Sequence, residues 1–164
     1  MRDTPTRRIG FRAWLVACAL PCAGCSTTEV SAPRDAAQQA APTVVSDRIP
    51  APLVARGGDA ARGRALILAP SHDPANCVLC HSVPEQGLAF AGDLGPSLAG
   101  VGTRLDIGQL RLRVVDNARV NASTIMPSYF RTEGLRLVAP AYRDRTILSA
   151  AEVEDVVAYL ATLR

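Results

Sequence analysis

Lysine is absent from the sequence: all 18 of its basic residues are arginines. Residues 1–24, identified below as an export signal, contain four of these arginines and one aspartate, so the rest of the chain has 14 arginines against 14 acidic residues. The exported chain is therefore close to neutral. Binding to nucleic acid needs a clustered excess of positive charge. We therefore expect no nucleic-acid partner.

Aromatic and metal-ligating residues are also scarce. Aromatic side chains make up 4 % of the 164 residues, although 48 % of the residues are hydrophobic. A small core with so few large side chains fills poorly unless another group occupies its centre. Alternating strand patterns are scarce and internal repeats are absent, which favours an all-α protein. The potential nitrogen or sulfur ligands of a metal or haem beyond residue 25 are Cys77, Cys80, His72, His81 and Met126.

Residues 1–24 have the layout of a bacterial export signal. Four arginines precede an apolar run at residues 13–21, and small residues follow. The run is far shorter than the roughly 20 residues that a membrane-spanning helix needs. Cys25 follows Cys22-Ala23-Gly24 and resembles the cysteine of a lipobox, with Cys18 as a second candidate. Two alternatives stay open: lipidation at Cys25, which gives a membrane anchor, or ordinary cleavage, which gives a soluble periplasmic protein.

The exported chain divides into a tether, residues 25–56, and a folded domain, residues 57–164. The tether is rich in alanine and proline and is expected to be extended or flexible. Its end, near residues 49–54, is expected to dock on the domain.

Three helices are predicted in the domain. The first runs from the N-cap Asp59 to residue 69, where Pro70 ends it. The second, residues 106–118, begins with an Asp106/Gln109 capping pair, and its apolar face includes Ile107. The last begins with a capping box and continues with apolar residues at helical spacing. Its capping residues are Ser149 and Glu152.

Residues 77–81 read C-V-L-C-H, and three kinds of site use cysteines at this spacing. A zinc site usually needs four nitrogen or sulfur ligands in a tetrahedron, and the adjacent residues Cys80 and His81 would share one tetrahedron with difficulty. A thiol redox site needs a βαβ setting, which this region lacks. Covalent haem uses the whole motif: Cys77 and Cys80 each bond one vinyl group, and His81 is the proximal iron ligand.

Met126 is the predicted second axial ligand. It is the one methionine of the exported chain and lies 45 residues after His81. A lone methionine is usually core filler. His72, however, is only five residues before Cys77, so it would reach the opposite haem face with difficulty. Imidazole and thioether together favour ferrous iron and a potential in the upper haem range.

The order of these motifs resembles class I cytochrome c over residues 57–164. The matching pieces are Gly58-Asp59-x-x-x-Gly63, Cys77-x-x-Cys80-His81, Gly95-Pro96, Met126-Pro127 and Tyr159-Leu160. The resemblance implies an all-α class I cytochrome c fold with three main helices and long loops around one covalent haem c.

The same resemblance implies several contacts. Gly63 and Tyr159 would meet where the first and last helices cross. The carbonyl of Pro96 would accept a hydrogen bond from Nδ1 of His81, fixing the ring. Arg104 matches an arginine that often pairs with a haem propionate. The alternatives to these two roles are an ordinary turn at Pro96 and a solvent-exposed loop charge at Arg104.

A narrower pattern resembles the SoxX family. Its pieces are Cys77-Val-Leu-Cys-His-Ser-Val-Pro-Glu85, Gly92-Asp-Leu-Gly-Pro-Ser-Leu-Ala-Gly-Val-Gly102, Leu110-Arg-x-Arg-Val-Val-Asp116, Thr124-Ile-Met-Pro-Ser-Tyr129 and Ile147-Leu-Ser-Ala-Ala-Glu152. SoxX is the small monohaem subunit of the periplasmic SoxAX complex of thiosulfate oxidation. The resemblance implies a heterodimer with a SoxA-like dihaem or monohaem cytochrome. The partner's cysteine performs L-cysteine S-thiosulfotransferase chemistry on the SoxYZ carrier, and SoxX passes electrons to a downstream acceptor.

The residues themselves indicate electron transfer without catalysis. With Cys25 lipidated and Cys77 and Cys80 in thioether bonds, no thiol remains as a nucleophile. Tyr129 and Phe130, beside Met126, are candidates for contacts or for haem packing, and packing is the role that we expect. Without lysine, docking would depend on an apolar interface more than on a positive ring. Three rivals remain: a freely diffusing class I cytochrome c, a cytochrome subunit of another periplasmic oxidoreductase, and a non-haem metal or thiol protein.

Overall fold

The computed structural model describes residues 41–68, 76–85, 88 and 91–164. They contain helices α1 (Ala60–Leu68), α2 (Val101–Arg104), α3 (Ile107–Asp116) and α4 (Ala150–Thr162), with short 3-10 turns between some of them. Within these residues there is no strand, and an isolated bridge joins Val45 to Arg48. The predicted all-α class is confirmed. None of the described helices is long and apolar enough to cross a membrane.

The three longer helices begin where their capping residues predict. Asp59 accepts a hydrogen bond from the backbone N–H of Arg62 at 2.8 Å, and capping boxes start α3 and α4. The second helix is shorter than predicted, because residues 117–119 tighten into a 3-10 turn instead of continuing it. The short helix α2 has no counterpart in the predicted elements.

The first and last helices cross at Gly63. A Cβ at this position would clash with the backbone carbonyl of Asp155 and lie 3.0 Å from Cβ of Tyr159. Only glycine therefore lets the two backbones approach this closely. This is the meeting of Gly63 and Tyr159 that the resemblance implies. Helices α2 and α3 also pack on α4, so α4 is the centre of the helical packing.

Residues 44–54, which we call the strap, pack against α3 and α4. Ile49 is 1 % exposed and belongs to the core, as the docking expectation requires. Beside it, Arg111 of α3 pairs with Glu154 of α4 at 2.7 Å, and both side chains are buried. The backbone of the strap makes one hydrogen bond to each member of this pair. The Ile49 carbonyl accepts a hydrogen bond from Arg111 at 2.6 Å, and the Leu53 N–H donates one to Glu154 at 2.9 Å. The packed structure therefore extends into the predicted tether.

Candidate functional site

The C-V-L-C-H motif forms a tight turn that begins as the 3-10 turn Cys77–Leu79. The backbone N–H groups of Cys80 and His81 both donate to the carbonyl of Cys77, at 3.1 and 2.9 Å. The N–H of Gly95 donates to the carbonyl of Cys80 at 2.7 Å, which ties the turn to the following loop. The turn therefore holds two thiols and an imidazole close together in a fixed arrangement.

The imidazole of His81 is fixed from two directions. Its Nδ1 lies 2.7 Å from the carbonyl oxygen of Pro96. A carbonyl can only accept, so Nδ1 carries the proton and Nε2 keeps its lone pair for a metal. Gly95 lies against the ring, because a Cβ there would be 2.6 Å from Nδ1. The structure thus places Pro96 at His81, where the resemblance puts it, and this bond would raise the basicity of the ligand.

An apolar cleft brings His81 and Met126 together, although 45 residues separate them in the sequence. The cavity inside the cleft has a volume of about 50 Å³. Its lining residues are Ile67, Cys77, His81, Leu98, Val114, Met126, Tyr129, Leu148, Val156 and Leu160. One imidazole, one thioether and a neighbouring thiol in an apolar setting match what a covalently attached haem requires. The residues therefore fit this group.

The segment that follows Met126 is pinned to the end of α3. The backbone N–H of Tyr129 donates to Val114, and that of Phe130 donates to Val115, both at 3.3 Å. Tyr129 and Phe130 are buried, as expected, and Tyr129 lines the cleft. The same α3 residue, Val114, lines the cleft. The position of Met126 is thus tied to that wall of the cleft.

Burial makes the Cys77 thiol a poor nucleophile in the folded chain. Burial raises the pKa of Cys77 to about 11. The Tyr129 hydroxyl contacts this thiol, and burial raises the pKa of Tyr129 as well. Because the thiolate is the reactive form, a thiol that stays protonated at neutral pH suits redox cycling badly. The thiol-protein interpretation therefore finds no support in this environment.

Arg104 of α2 is engaged with the backbone of its own loop. Its guanidinium donates to the carbonyls of Ala99 at 2.6 Å and Ser97 at 3.1 Å. Arg104 is not among the residues that line the cleft. Its pairing with a propionate stays a prediction. Cys25 and His72 lie outside the described residues.

A contact between Glu85 and two helices had no counterpart in the predictions. Arg64 of α1 donates twice to Glu85, at 2.9 and 2.8 Å, and the hydroxyl of Tyr159 in α4 donates at 2.6 Å. These bonds, above all those from Arg64, lower the pKa of Glu85 to about 2. Glu85 thus fastens the chain just after His81 to the α1–α4 crossing. Its place in the SoxX-like pattern was the only signal, because its partners lie 21 and 74 residues away.

The described part of the chain contains no group of three or more His, Cys, Asp or Glu side chains that could hold a metal ion. A zinc site built on the cysteine motif with further ligands thus finds no support among those residues.

Comparison with known proteins identifies the family of the chain. The family model for cytochrome c matches residues 60–164. The chain belongs to the cytochrome c family. This cytochrome has the class I fold and carries one covalently bound haem c, so it is an electron-transfer protein.

A solved structure gives a narrower likeness. A chain of SoxXA from P. pantotrophus matches this cytochrome with 28 % sequence identity and a TM-score of 0.66. The match covers 74 % of this chain and 93 % of that one, and it confirms the resemblance to SoxX drawn from the sequence. The sequence comparison with curated proteins gives no match.

Proposed function

We propose that this cytochrome is the electron-accepting subunit of a SoxAX-type complex. Cys77 and Cys80 would attach the haem, and His81 and Met126 would be its axial ligands. The partner is a SoxA-like dihaem or monohaem cytochrome, which conjugates thiosulfate oxidatively to the cysteine of a SoxYZ carrier. This chain takes up the released electrons and passes them to a downstream acceptor.

The observation that carries the proposal is the cleft shared by His81 and Met126. The His81 ring already has the tautomer and orientation that an axial ligand needs, through its 2.7 Å contact with Pro96. Met126 reaches the same cleft from a distant segment that is pinned to α3. The bound haem supplies a one-electron iron couple. The likeness to a SoxXA chain supports this type of complex among the many that use such cytochromes.

Sulfur chemistry is assigned to the partner because both cysteines in the described part of this chain belong to the haem motif. Cys77 is buried with a pKa of about 11. In the loaded protein both motif cysteines would be thioethers, which cannot attack thiosulfate. We therefore assign no catalytic residue to this chain.

The docking surface is proposed to lie beside the cleft opening. Leu79, inside the haem motif, is 53 % exposed, and Ile125, next to Met126, is 77 % exposed. Leu94, in the loop that covers the motif turn, is 69 % exposed. Apolar side chains of this size are typical of the buried centre of a stable interface. An apolar partner surface on a second cytochrome fits this patch, and it would bring the two haems near each other.

The compartment proposed is the bacterial periplasm, where the predicted export signal would deliver the chain. Lipidation of Cys25 would hold the complex at a membrane and stays a prediction. Mass spectrometry of the exported protein decides it: an N-terminal diacylglyceryl-cysteine at position 25 supports an anchor, and a plain N-terminus excludes one.

The proposal is tested by coexpressing this chain with haem-maturation machinery and the SoxA-like protein encoded beside it. Purification uses a tag on this chain alone. We expect a c-type spectrum, a second cytochrome in equal amount, and thiosulfate-dependent transfer to SoxYZ. Met126→Ala should abolish reduction of this chain's haem without dissociating the partner. A c-type spectrum with no partner would favour the freely diffusing carrier, and a colourless protein would refute the haem assignment.

A matched pair of substitutions tests the docking surface. Leu79→Glu places a charge in the proposed interface and should release the partner from the purified complex. Ile107→Glu is the control, because Ile107 is 55 % exposed but lines a different depression, beside the strap. If both variants keep the partner, or both lose it, the interface does not lie at Leu79.

A further inference from the structure

The hydroxyl oxygen of Thr124, two residues before Met126, accepts two hydrogen bonds. The backbone N–H of Met126 itself donates to it at 3.2 Å. The side-chain amide of Asn117, the residue after α3, donates at 2.9 Å. A hydroxyl oxygen has two lone pairs, so both acceptor positions are used. Thr124 therefore links the backbone of Met126 directly to the end of α3.

The chain between Asn117 and Thr124 closes on itself through further hydrogen bonds. The backbone N–H of Asn121 donates to the carbonyl of Asn117 at 2.9 Å, and that of Thr124 donates to the carbonyl of Asn121 at 3.1 Å. The side chain of Asn121 also accepts from the N–H of Ser123 at 3.0 Å. These local bonds make the turn a compact support. The Asn117–Thr124 bond closes this support on the side that faces Met126.

Met126 is thus held before and after its position in the chain by the same end of α3. On its far side, the backbone bonds from Tyr129 to Val114 and from Phe130 to Val115 fix the chain. On its near side, the Thr124 hydroxyl makes the contact with the Met126 backbone. The placement of a metal-ligating side chain depends on the groups that hold it, and at Met126 the bond from Thr124 acts on the backbone.

We propose that Thr124 and Asn117 are positioning residues that keep the Met126 thioether at the sixth coordination position and set how readily an external ligand displaces it. This inference rests on the proposed assignment of His81 and Met126 as axial ligands. Neither positioning residue touches the iron. Both act through the backbone of Met126.

The test uses the full-length, haem-loaded protein with imidazole as the competing ligand. Thr124→Val removes the hydroxyl but keeps a side chain of similar size, and Thr124→Ser keeps the hydroxyl. Ser123→Ala is the neighbouring control, because among the described residues the Ser123 hydroxyl makes no hydrogen bond and the residue is exposed. The readouts are the affinity of the ferric protein for imidazole and the weak absorption band of thioether-bound ferric iron.

We expect Thr124→Val to bind imidazole roughly tenfold more tightly and to lose part of the thioether band, because supporting groups around a metal ligand typically change metal affinity by about this factor or more. Thr124→Ser and Ser123→Ala should stay within roughly twofold of the wild type. Asn117→Ala removes the other hydrogen bond to the hydroxyl oxygen of Thr124. It should also weaken the binding of the Met126 thioether and so tighten the binding of imidazole. The effects of Asn117→Ala and Thr124→Val should not add, because each breaks the same link.

Met126→Ala separates failure of this inference from failure of the proposed function. If Met126→Ala leaves the thioether band unchanged, the axial assignment is wrong and both proposals fall. If it abolishes the band while Thr124→Val and Asn117→Ala bind imidazole as the wild type does, the positioning role is refuted and the proposed function stands. An equal effect of Ser123→Ala would also refute it, because any disturbance of the turn would then suffice.

Discussion

Replacing Gly95 with alanine is expected to displace the imidazole of His81. A Cβ at this position would lie 2.6 Å from Nδ1 and 2.8 Å from Nε2, whereas ordinary contact begins at 3.4 Å. The contact with Cε1 of the ring would be closer still, so the ring or the loop must move by at least about 0.8 Å. A movement of this size is enough to break the 2.7 Å hydrogen bond between Nδ1 and Pro96.

The cost follows from these two effects. Forcing an extra methyl group into a packed site costs about 1–3 kcal/mol. Losing the hydrogen bond adds about 1 kcal/mol. Gly95→Ala should therefore lower the free energy of unfolding of the haem-loaded protein by about 2–4 kcal/mol. Urea unfolding, followed through haem absorbance, measures this difference.

Gly57→Ala is the matched control for the glycine itself. A Cβ at Gly57 would meet nothing within 4 Å, so only the general effect of removing a glycine remains. The expected displacement of His81 is refuted if Gly95→Ala unfolds within about 0.5 kcal/mol of the wild type with an unchanged spectrum, since this is less than the smallest overpacking cost. It also fails if Gly57→Ala loses as much stability, because chain flexibility would then explain both results.

Three further predictions concern the packing around the site. Glu154→Gln should destabilise the protein by about 3–5 kcal/mol in urea unfolding, because it leaves Arg111 charged and buried without its partner; a loss below about 1 kcal/mol, the range of an exposed pair, would contradict this. Ile49→Ala should cost about 2–5 kcal/mol in the same assay, as expected for a core side chain; a loss typical of a surface residue, about 0.5 kcal/mol or less, would show that the strap is not part of the core. Because the pKa of Glu85 is lowered from 4.5 to about 2, its contact with Arg64 stabilises the fold above about pH 4.5 and is lost as the pH falls towards 2. Glu85→Gln should therefore flatten the loss of stability across that window, as measured by circular dichroism at stepped pH; an unchanged slope would mean that Glu85 does not contribute.

The parts of the fold that could be predicted depend on residues close in the sequence. The capping boxes Asp106/Gln109 and Ser149/Glu152 each span three residues, so their bonds form wherever the helix begins. The motif C-V-L-C-H is equally local. The cleft itself was predictable only indirectly, from the scarcity of aromatic side chains and the single methionine, Met126.

The parts that escaped prediction depend on distant pairings. Arg111 and Glu154 are 43 residues apart and read as ordinary surface charges, yet they form a buried pair. The sequence predicts that residues 49–54 dock on the domain, but Ile49 lies in an alanine- and proline-rich stretch without helical or strand period, so it does not show that Ile49 is a fully buried core residue. The opposite error occurs at Ile107, which fits the apolar face of α3 but is 55 % exposed at the start of that helix. Whether these side chains are buried or exposed is determined by tertiary contacts between segments that are distant in the sequence.

The packing of α4 against α1 determines whether the thiol of Cys77 is accessible. About 80 residues separate the two helices, so their association closes a long loop. Val156 and Leu160, which wall the cleft, belong to α4 and are synthesised last. Until they dock, the thiol of Cys77 is exposed to water and keeps an ordinary acidity. After docking, burial raises its pKa to about 11. Covalent attachment is therefore chemically easiest before α4 docks, and the folded chain then shields the attached cofactor from water.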